Sequence, residues 1–187
     1  MIHDPQLLDR LSDLPRLTIE GTYFRATGVS VDPTAASISG GRWSPRPDRD
    51  EGVPALYTSF MRDGALAELC LFLADITPVP QARLIKVTSL EISVIQAVRL
   101  QRSDLVALGI DLSRYGERDY SRTQQIGAAL AFLGVDGLIS PSARWNCENL
   151  VVFQENHNMI ERLTVGPSET VNWRAWAETN GILKVEC

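Results

Sequence analysis

Few side chains in this sequence are of a type and setting that could do chemistry. Arg25 interrupts the apolar stretch Tyr23-Phe24-Arg25-Ala26. A cation there either faces water at an alternate strand position or is aimed into a pocket to hold an anion. Arginine suits phosphate, because its planar fork can make two parallel hydrogen bonds. Glu68 lies in the stretch 63–76, where Ala65, Leu66, Leu69, Phe72, Leu73 and Ile76 share one face at about 100° per residue. Glu68 falls at the edge of that face, where a carboxylate either reaches to water or serves a site. Gly40-Gly41-Arg42-Trp43 joins two small residues, which let backbone approach a ligand closely, to a cation and a stacking face. Its other reading is a turn whose tryptophan anchors a loop to the core. Tyr57 either stacks on a flat ring or fills the interior. The hydroxyls and guanidinium of Ser140-Pro-Ser142-Ala-Arg144 either bind a polar ligand or cap turns.

Other chemistries are excluded by what is missing. There is no GxxxxGK[ST] loop, no GxGxxG turn, no HExxH helix and no CxxC pair. Ser140-Pro-Ser142 lacks the glycine spacing of a nucleophile elbow. Cys147 and His157 make a weak nucleophile–base pair, since thiols and histidines of this kind are common without any role. With two histidines, His3 and His157, a histidine-rich metal site is not expected. Three widely spaced cysteines (Cys70, Cys147, Cys187) fit reduced thiols.

The candidate residues need elements to hold them. Asp4 before Pro5 starts a helix striped with Leu7, Leu8, Leu11 and Leu14 and closed by Pro15. Thr22–Thr27 is rich in strand formers. Residues 28–54 are punctuated by glycines and prolines, so a long surface loop is expected there, and loops of that size tend to be functional or mobile. Ala55–Ser59 is a second strand. Asp63 is expected to cap a helix running to about Ile76, which the prolines at 78 and 80 end. Ala82–Leu90 alternates as a strand, and Ser103 is expected to cap a short helix through Leu108. A longer helix, about Tyr120–Leu133, ends at Gly134. Strands are expected at Gly137–Ser140, Asn149–Phe153 and Ile160–Val165, with Asn172 capping a last helix that carries Trp173 and Trp176. Helices and strands intersperse without regular alternation. The pattern is α+β, with mixed or antiparallel sheets and flanking helices.

The 187 residues, 44% hydrophobic and 22% charged, describe an ordinary globular domain rather than a disordered chain. Such a chain can hold its core without metal or disulfide. Residues 1–19 read as an N-terminal helical extension, 20–165 as the body, and 166–187 as a C-terminal helical extension packed on it. A net charge of −5 argues against nucleic-acid binding, which needs a field attractive to phosphate. No apolar stretch approaches the ~18–20 residues that span a bilayer, and MIHDPQLLDRLSDLP is no secretory signal. A cytoplasmic chain with neither membrane nor direct nucleic-acid partner is expected; homo-oligomerisation is left open.

Taken in order, several fragments resemble the RES-domain family, named for an arginine, a glutamate and a serine. They are Tyr23-Phe24-Arg25, Gly40-Gly41-Arg42-Trp43, Ala55-Leu-Tyr57-Thr-Ser59, Ala65-Leu-Ala-Glu68, Gln125-Ile-Gly127, Gly134-Val-Asp-Gly-Leu-Ile139, Pro141-Ser142-Ala-Arg144 and Asn149-Leu-Val-Val-Phe153. Each is weak alone; their order makes the likeness specific over about residues 20–155. The naming trio falls on Arg25, Glu68 and Ser142, with Tyr57 as a further pocket residue. The resemblance implies an ADP-ribosyltransferase-like fold and a bacterial toxin that consumes NAD⁺ by hydrolysis, by phosphorolysis with inorganic phosphate as co-substrate, or by ADP-ribosylating a protein. It implies no metal, and as partner an antitoxin with an Xre-type helix-turn-helix domain that blocks the pocket. By the same resemblance Glu68 stabilises the oxocarbenium character built on the ribose, and Arg25 pairs with the pyrophosphate or a ribose oxygen. Tyr57 and Trp43 stack on nicotinamide, Gly41 and Arg42 line the dinucleotide site, and Ser142 binds the nicotinamide amide or a phosphate oxygen. The glycine-rich loop would act as a lid. The contrasting expectation is a partner-binding module that keeps the fold without turnover.

Overall fold

The computed structural model describes residues 3–46, 52–81 and 83–183. Cys187, Ala82 and residues 47–51 of the long loop lie outside them. Helix α1 (Pro5–Ser12) begins where Asp4 Oδ1 accepts the Gln6 N–H at 3.0 Å, with Pro5 in the first turn. Its buried Leu7 and Leu11 join a cluster with Ile126, Ala129 and Leu130 of the longer helix α4 (Ser121–Phe132), and Gly134 follows at φ 75°.

Two strands carry the sheet. Strand β1 (Leu17–Gly28) and strand β3 (Leu84–Arg99) pair antiparallel from Leu17↔Ala97 to Gly28↔Ile85. Both are longer than the sequence suggested. In β3 the period of two breaks at Ile95 and Gln96, both exposed. There the carboxylate of buried Asp136 accepts the N–H groups of Ile95 and Gln96 at 3.0 and 2.8 Å, in place of ladder carbonyls.

Strand β2 (Ala55–Ser59) pairs antiparallel with β5 (Glu148–Phe153), and β5 with β4 (Gly137–Pro141). Strand β4 runs parallel to residues 97–99 of β3, and β2 touches β1 at Phe24↔Ser59. The pairings thus close a circuit, β1–β2–β5–β4–β3 and back to β1. Strand β6 (Leu163–Asn172) lies along the Leu84–Ile92 half of β3. Tyr23, Leu56, Ile92, Ile139 and Val152 fill the space inside the circuit. Leu138, Val151 and Phe153 face α4 and α1, while Ile85 and Val87 meet Leu66 of α2 (Arg62–Ala74) and Trp173 of α6 (Trp173–Thr179).

The chain adopts the α+β architecture expected, with a mixed sheet and flanking helices, and differs locally. Ile160 belongs to a helical turn, α5 (Met159–Arg162), because Asn158 Oδ1 accepts the Glu161 N–H at 3.3 Å. The strand expected there starts at Leu163 and continues to Asn172. Gly166 and Pro167 sit at a register shift opposite Ser89, and an edge strand tolerates a proline that a central one does not. The expected boundaries at 19/20 and 165/166 fall inside β1 and β6. Asp63 does not cap α2; Met61 holds that position, and Asp63 pairs with Arg62 at 2.8 Å in the first turn. Likewise Gln101, not Ser103, precedes α3 (Arg102–Ala107), its N–H bound to the Asp104 carboxylate at 2.7 Å. Among the described residues of 28–54, the sole bridge outside the strands is Ser37↔Ala55. Among the described residues no helix is long and apolar enough to cross a membrane.

Candidate active site

Helix α2 packs through Leu66 and Cys70 against β1, β3 and α6, and its Glu68 reaches the β4–β5 connection. One carboxylate oxygen, Oε1, accepts two hydrogen bonds of 2.8 Å, from Ser142 Oγ and from Asn149 Nδ2. Ser142 follows β4, and its hydroxyl also accepts the N–H groups of Arg144 and Trp145 at 3.0 and 3.1 Å. With both acceptor positions used by backbone and its one hydrogen given to Glu68, this hydroxyl has nothing left for a ligand. It is 4% exposed. Ser142 therefore holds the carboxylate, and the direct ligand contact expected of it is not available in this arrangement.

Beside Glu68 opens a cavity of about 780 Å³, the size of a ligand site. Arg25, Gly41, Arg42, Trp43, Tyr57 and Glu68 all line it. The groups at positions 25 and 68, separate in the sequence, share one space. Tyr57 comes from β2, and its hydroxyl accepts the Trp43 N–H at 3.1 Å and sits 2.9 Å from Ser44 Oγ. Burial pushes this phenol up to about 12, so it stays a neutral hydroxyl. A Cβ at Gly41 would come within 2.5 Å of the same oxygen, so the loop passes the tyrosine only because residue 41 has no side chain. From the other side, Gln124 Nε2 donates to the Gly41 carbonyl at 2.9 Å. A methyl at Gly127 of α4 would overlap the Trp43 carbonyl. The loop is thus pressed onto α4 backbone to backbone. Trp43 itself is 2% exposed and packs in the main core cluster, so it anchors the loop even where its edge reaches the cavity.

The remaining wall is cationic. Five arginines (25, 42, 46, 118 and 144) line the cavity among the described residues, against the single carboxylate of Glu68. In a chain of net charge −5 this is a local reversal of sign, and it favours anions. Arg25 is half-buried on β1, donates to the Pro33 carbonyl at 3.2 Å and meets no carboxylate at ion-pair distance among the described residues. Burial lowers its guanidinium from the ordinary value, countered by the nearby charge of Asp32. The Arg42 guanidinium is held between Tyr115 and Tyr120, 4.6 and 4.7 Å from their ring centroids. Burial raises Tyr115 to about 12, and its hydroxyl donates to the Pro141 carbonyl at 2.9 Å, which ties this stacked pair to the end of β4. Arg118 is neutralised by Asp75 at 2.6 Å and lies over Phe72. Phe72, expected on the buried face of α2, is 54% exposed and forms part of the rim.

Cys147 lies nearby, its sulfur 3.3 Å from Ser59 Oγ, and burial raises its thiol, which makes a poor nucleophile. His157 instead binds the Ser93 carbonyl at 2.8 Å, so the two have separate surroundings. Sequence reasoning missed Asn149, Tyr115, Tyr120, Gln124 and Arg118. Asn149 carried a usable signal: asparagine is depleted in strands, and this one opens the apolar run Leu150–Phe153. The tyrosines and Arg118 lie in irregular chain before α4, where no periodicity marks them.

The arrangement presents one fixed carboxylate, its second oxygen without a hydrogen bond among the described residues, to a space otherwise suited to an anionic, partly aromatic ligand. Three comparisons bear on what uses it. The sequence matches the family profile described as RES domain over residues 14–174. No curated sequence matches the chain. Among solved structures it is similar to a chain of the M. tuberculosis MbcT-MbcA toxin–antitoxin complex, at TM-score 0.78 and 20% identity, over 95% of this chain and 98% of that one.

Proposed function

This chain belongs to the RES domain family, and on that premise we propose that it is the NAD⁺-consuming toxin of a toxin–antitoxin pair. The observation that carries the reading is the pairing of Glu68, fixed by Ser142 and Asn149, with an arginine-lined cavity. A dinucleotide brings the matching groups: a pyrophosphate for the arginines, flat rings for the aromatic walls and ribose hydroxyls for the carboxylate.

In this reading Arg25 and Arg42 take pyrophosphate oxygens. Each is oriented before any ligand arrives, Arg25 by the Pro33 carbonyl and Arg42 by its two tyrosines, so little side-chain freedom is lost on binding. The Tyr57 ring offers nicotinamide a stacking face. The bond that breaks joins ribose C1′ to the pyridinium nitrogen. Its electron pair goes to the ring, which leaves as neutral nicotinamide without needing an acid. Positive charge builds on the ribose, and the free oxygen of Glu68 stabilises it and holds a ribose hydroxyl. Water then adds at C1′ and loses a proton, giving ADP-ribose; phosphate in its place gives the phosphorolytic product. The similar M. tuberculosis chain comes from a toxin–antitoxin complex, which supports an antitoxin as the natural partner. An Xre-type partner covering the arginine-lined mouth, and action in the cytoplasm, complete the proposal.

Incubating the purified chain with NAD⁺ and separating the products tests it. Nicotinamide with ADP-ribose means hydrolysis, a strict phosphate requirement means phosphorolysis, and label on protein means transfer. NAD⁺ left intact under all three conditions, with the cell unharmed by expression without an antitoxin, would leave a binding module instead.

A further inference from the structure

We propose that Asn149 is a positioning residue that, together with Ser142, fixes the plane of the Glu68 carboxylate and so aims its free oxygen at the bound sugar. The inference rests on the reading of Glu68 given above, and nothing in the family's naming trio includes Asn149.

Asn149 stands on the middle strand of the β2–β5–β4 ladder, paired with Ser59 on one side and Ser140 on the other. Its backbone is therefore fixed from both edges. Its Nδ2 donates to Glu68 Oε1, the oxygen that Ser142 also meets. The torsion that turns a glutamate carboxylate is soft and roughly two-fold. One donor on one oxygen leaves the second oxygen free to swing. Two donors, reaching the same oxygen from different stretches of chain, remove that swing. They come from the turn after β4 and from β5, whereas Glu68 comes from α2, so the contact also sets the helix against the sheet.

A second observation separates this role from simple packing. The other end of the amide, Oδ1, is buried and has no hydrogen-bond partner among the described residues. Leaving a buried acceptor unpaired opposes stability. Exchanging the two ends of the amide would not relieve it, because that sets a carbonyl oxygen against the carboxylate. The orientation is thus the one that serves Glu68 rather than the one that satisfies Asn149, as expected where local cost is tolerated for a functional group.

Four substitutions and one spectrum test this. Asn149→Ala and the isosteric Asn149→Asp both remove the donor. Each should lower kcat for NAD⁺ by about tenfold to a hundredfold, the scale of a misplaced reacting group, with KM changed less than about threefold. Because Asn149 acts through Glu68, Asn149→Ala added to Glu68→Gln should cost less than about twofold more. In the free protein, the Glu68 side-chain carboxyl carbon, assigned by its loss in Glu68→Gln, should shift in the ¹³C NMR spectrum of Asn149→Ala, as it does in Ser142→Ala. A loss confined to KM, an undiminished kcat in Asn149→Asp, or a full repeat of the loss without Glu68 overturns the role. So does a carboxyl signal that stays in place. The spectrum needs no substrate, so it decides the contact even if the wild-type chain leaves NAD⁺ untouched, a result that would sink the functional reading alone.

Discussion

The cavity has two walls, and they are held by opposite means. On the Glu68 side the sheet is regular and the fixing contacts are between side chains: Ser142 and Asn149 on one oxygen. On the loop side the chain is irregular and the contacts go to its backbone: Tyr57 to Trp43, Gln124 to Gly41, and α4 against the Trp43 carbonyl. The first wall fixes one functional group. The second fixes a surface. Substitutions in the first should strike the chemical step while sparing the fold; those in the second should strike binding and stability.

The sharpest test of that division is Trp43→Ala. It removes the buried anchor of the loop and should lower the unfolding free energy by about 3–5 kcal/mol in urea denaturation. An unchanged midpoint would mean the loop is held without it. Glu68→Gln should do the reverse: turnover of NAD⁺ falls by roughly 10²–10³, about 3–4 kcal/mol in the barrier, while KM stays within about threefold. If KM absorbs the loss, the walls are not distinct. For Arg25→Ala a KM increase of about tenfold to a hundredfold is expected, from a charged contact worth about 1.5–3 kcal/mol, with kcat affected far less. The smallest effect concerns the tyrosines. Tyr57 and Tyr115 are raised by burial from the ordinary 10 to about 12. The folded state keeps their protons where the unfolded chain releases them, so the stability they contribute is complete below about pH 10 and is lost as pH rises to about 12. Alkaline denaturation should be shallower in Tyr57→Phe, and equal slopes would mean the loop-side phenol ionises freely.

The two walls also differ in how far the sequence disclosed them. Arg25 stands out because it interrupts an apolar stretch and Glu68 because it borders an apolar helix face, and the fold brings both to one cavity. Ser142 was visible as a residue but not in its use, since hydroxyl saturation depends on which backbone N–H groups turn toward it. Trp43 left two readings open, and the core cluster takes most of its ring. The stacking of Arg42 between Tyr115 and Tyr120 depends on how unpatterned chain folds back, which no local signal encodes. The same holds for the sheet. Ala55–Ser59 matched to the residue, its start marked by Pro54, whereas the part of β6 beyond Val165 was hidden by Gly166 and Pro167, which read as breakers until an edge position and a register shift accommodate them.

The strand circuit has a consequence for synthesis. The groups that meet in the cavity span positions 24 to 151, and β5, which completes the carboxylate's cradle, pairs between β2, made far earlier, and β4, made just before it. A polypeptide still emerging from the ribosome therefore has no complete cavity until nearly the whole of that span is out. A product cut short between residues 144 and 149 carries all five arginines without Asn149, and under the proposed function it should leave NAD⁺ intact.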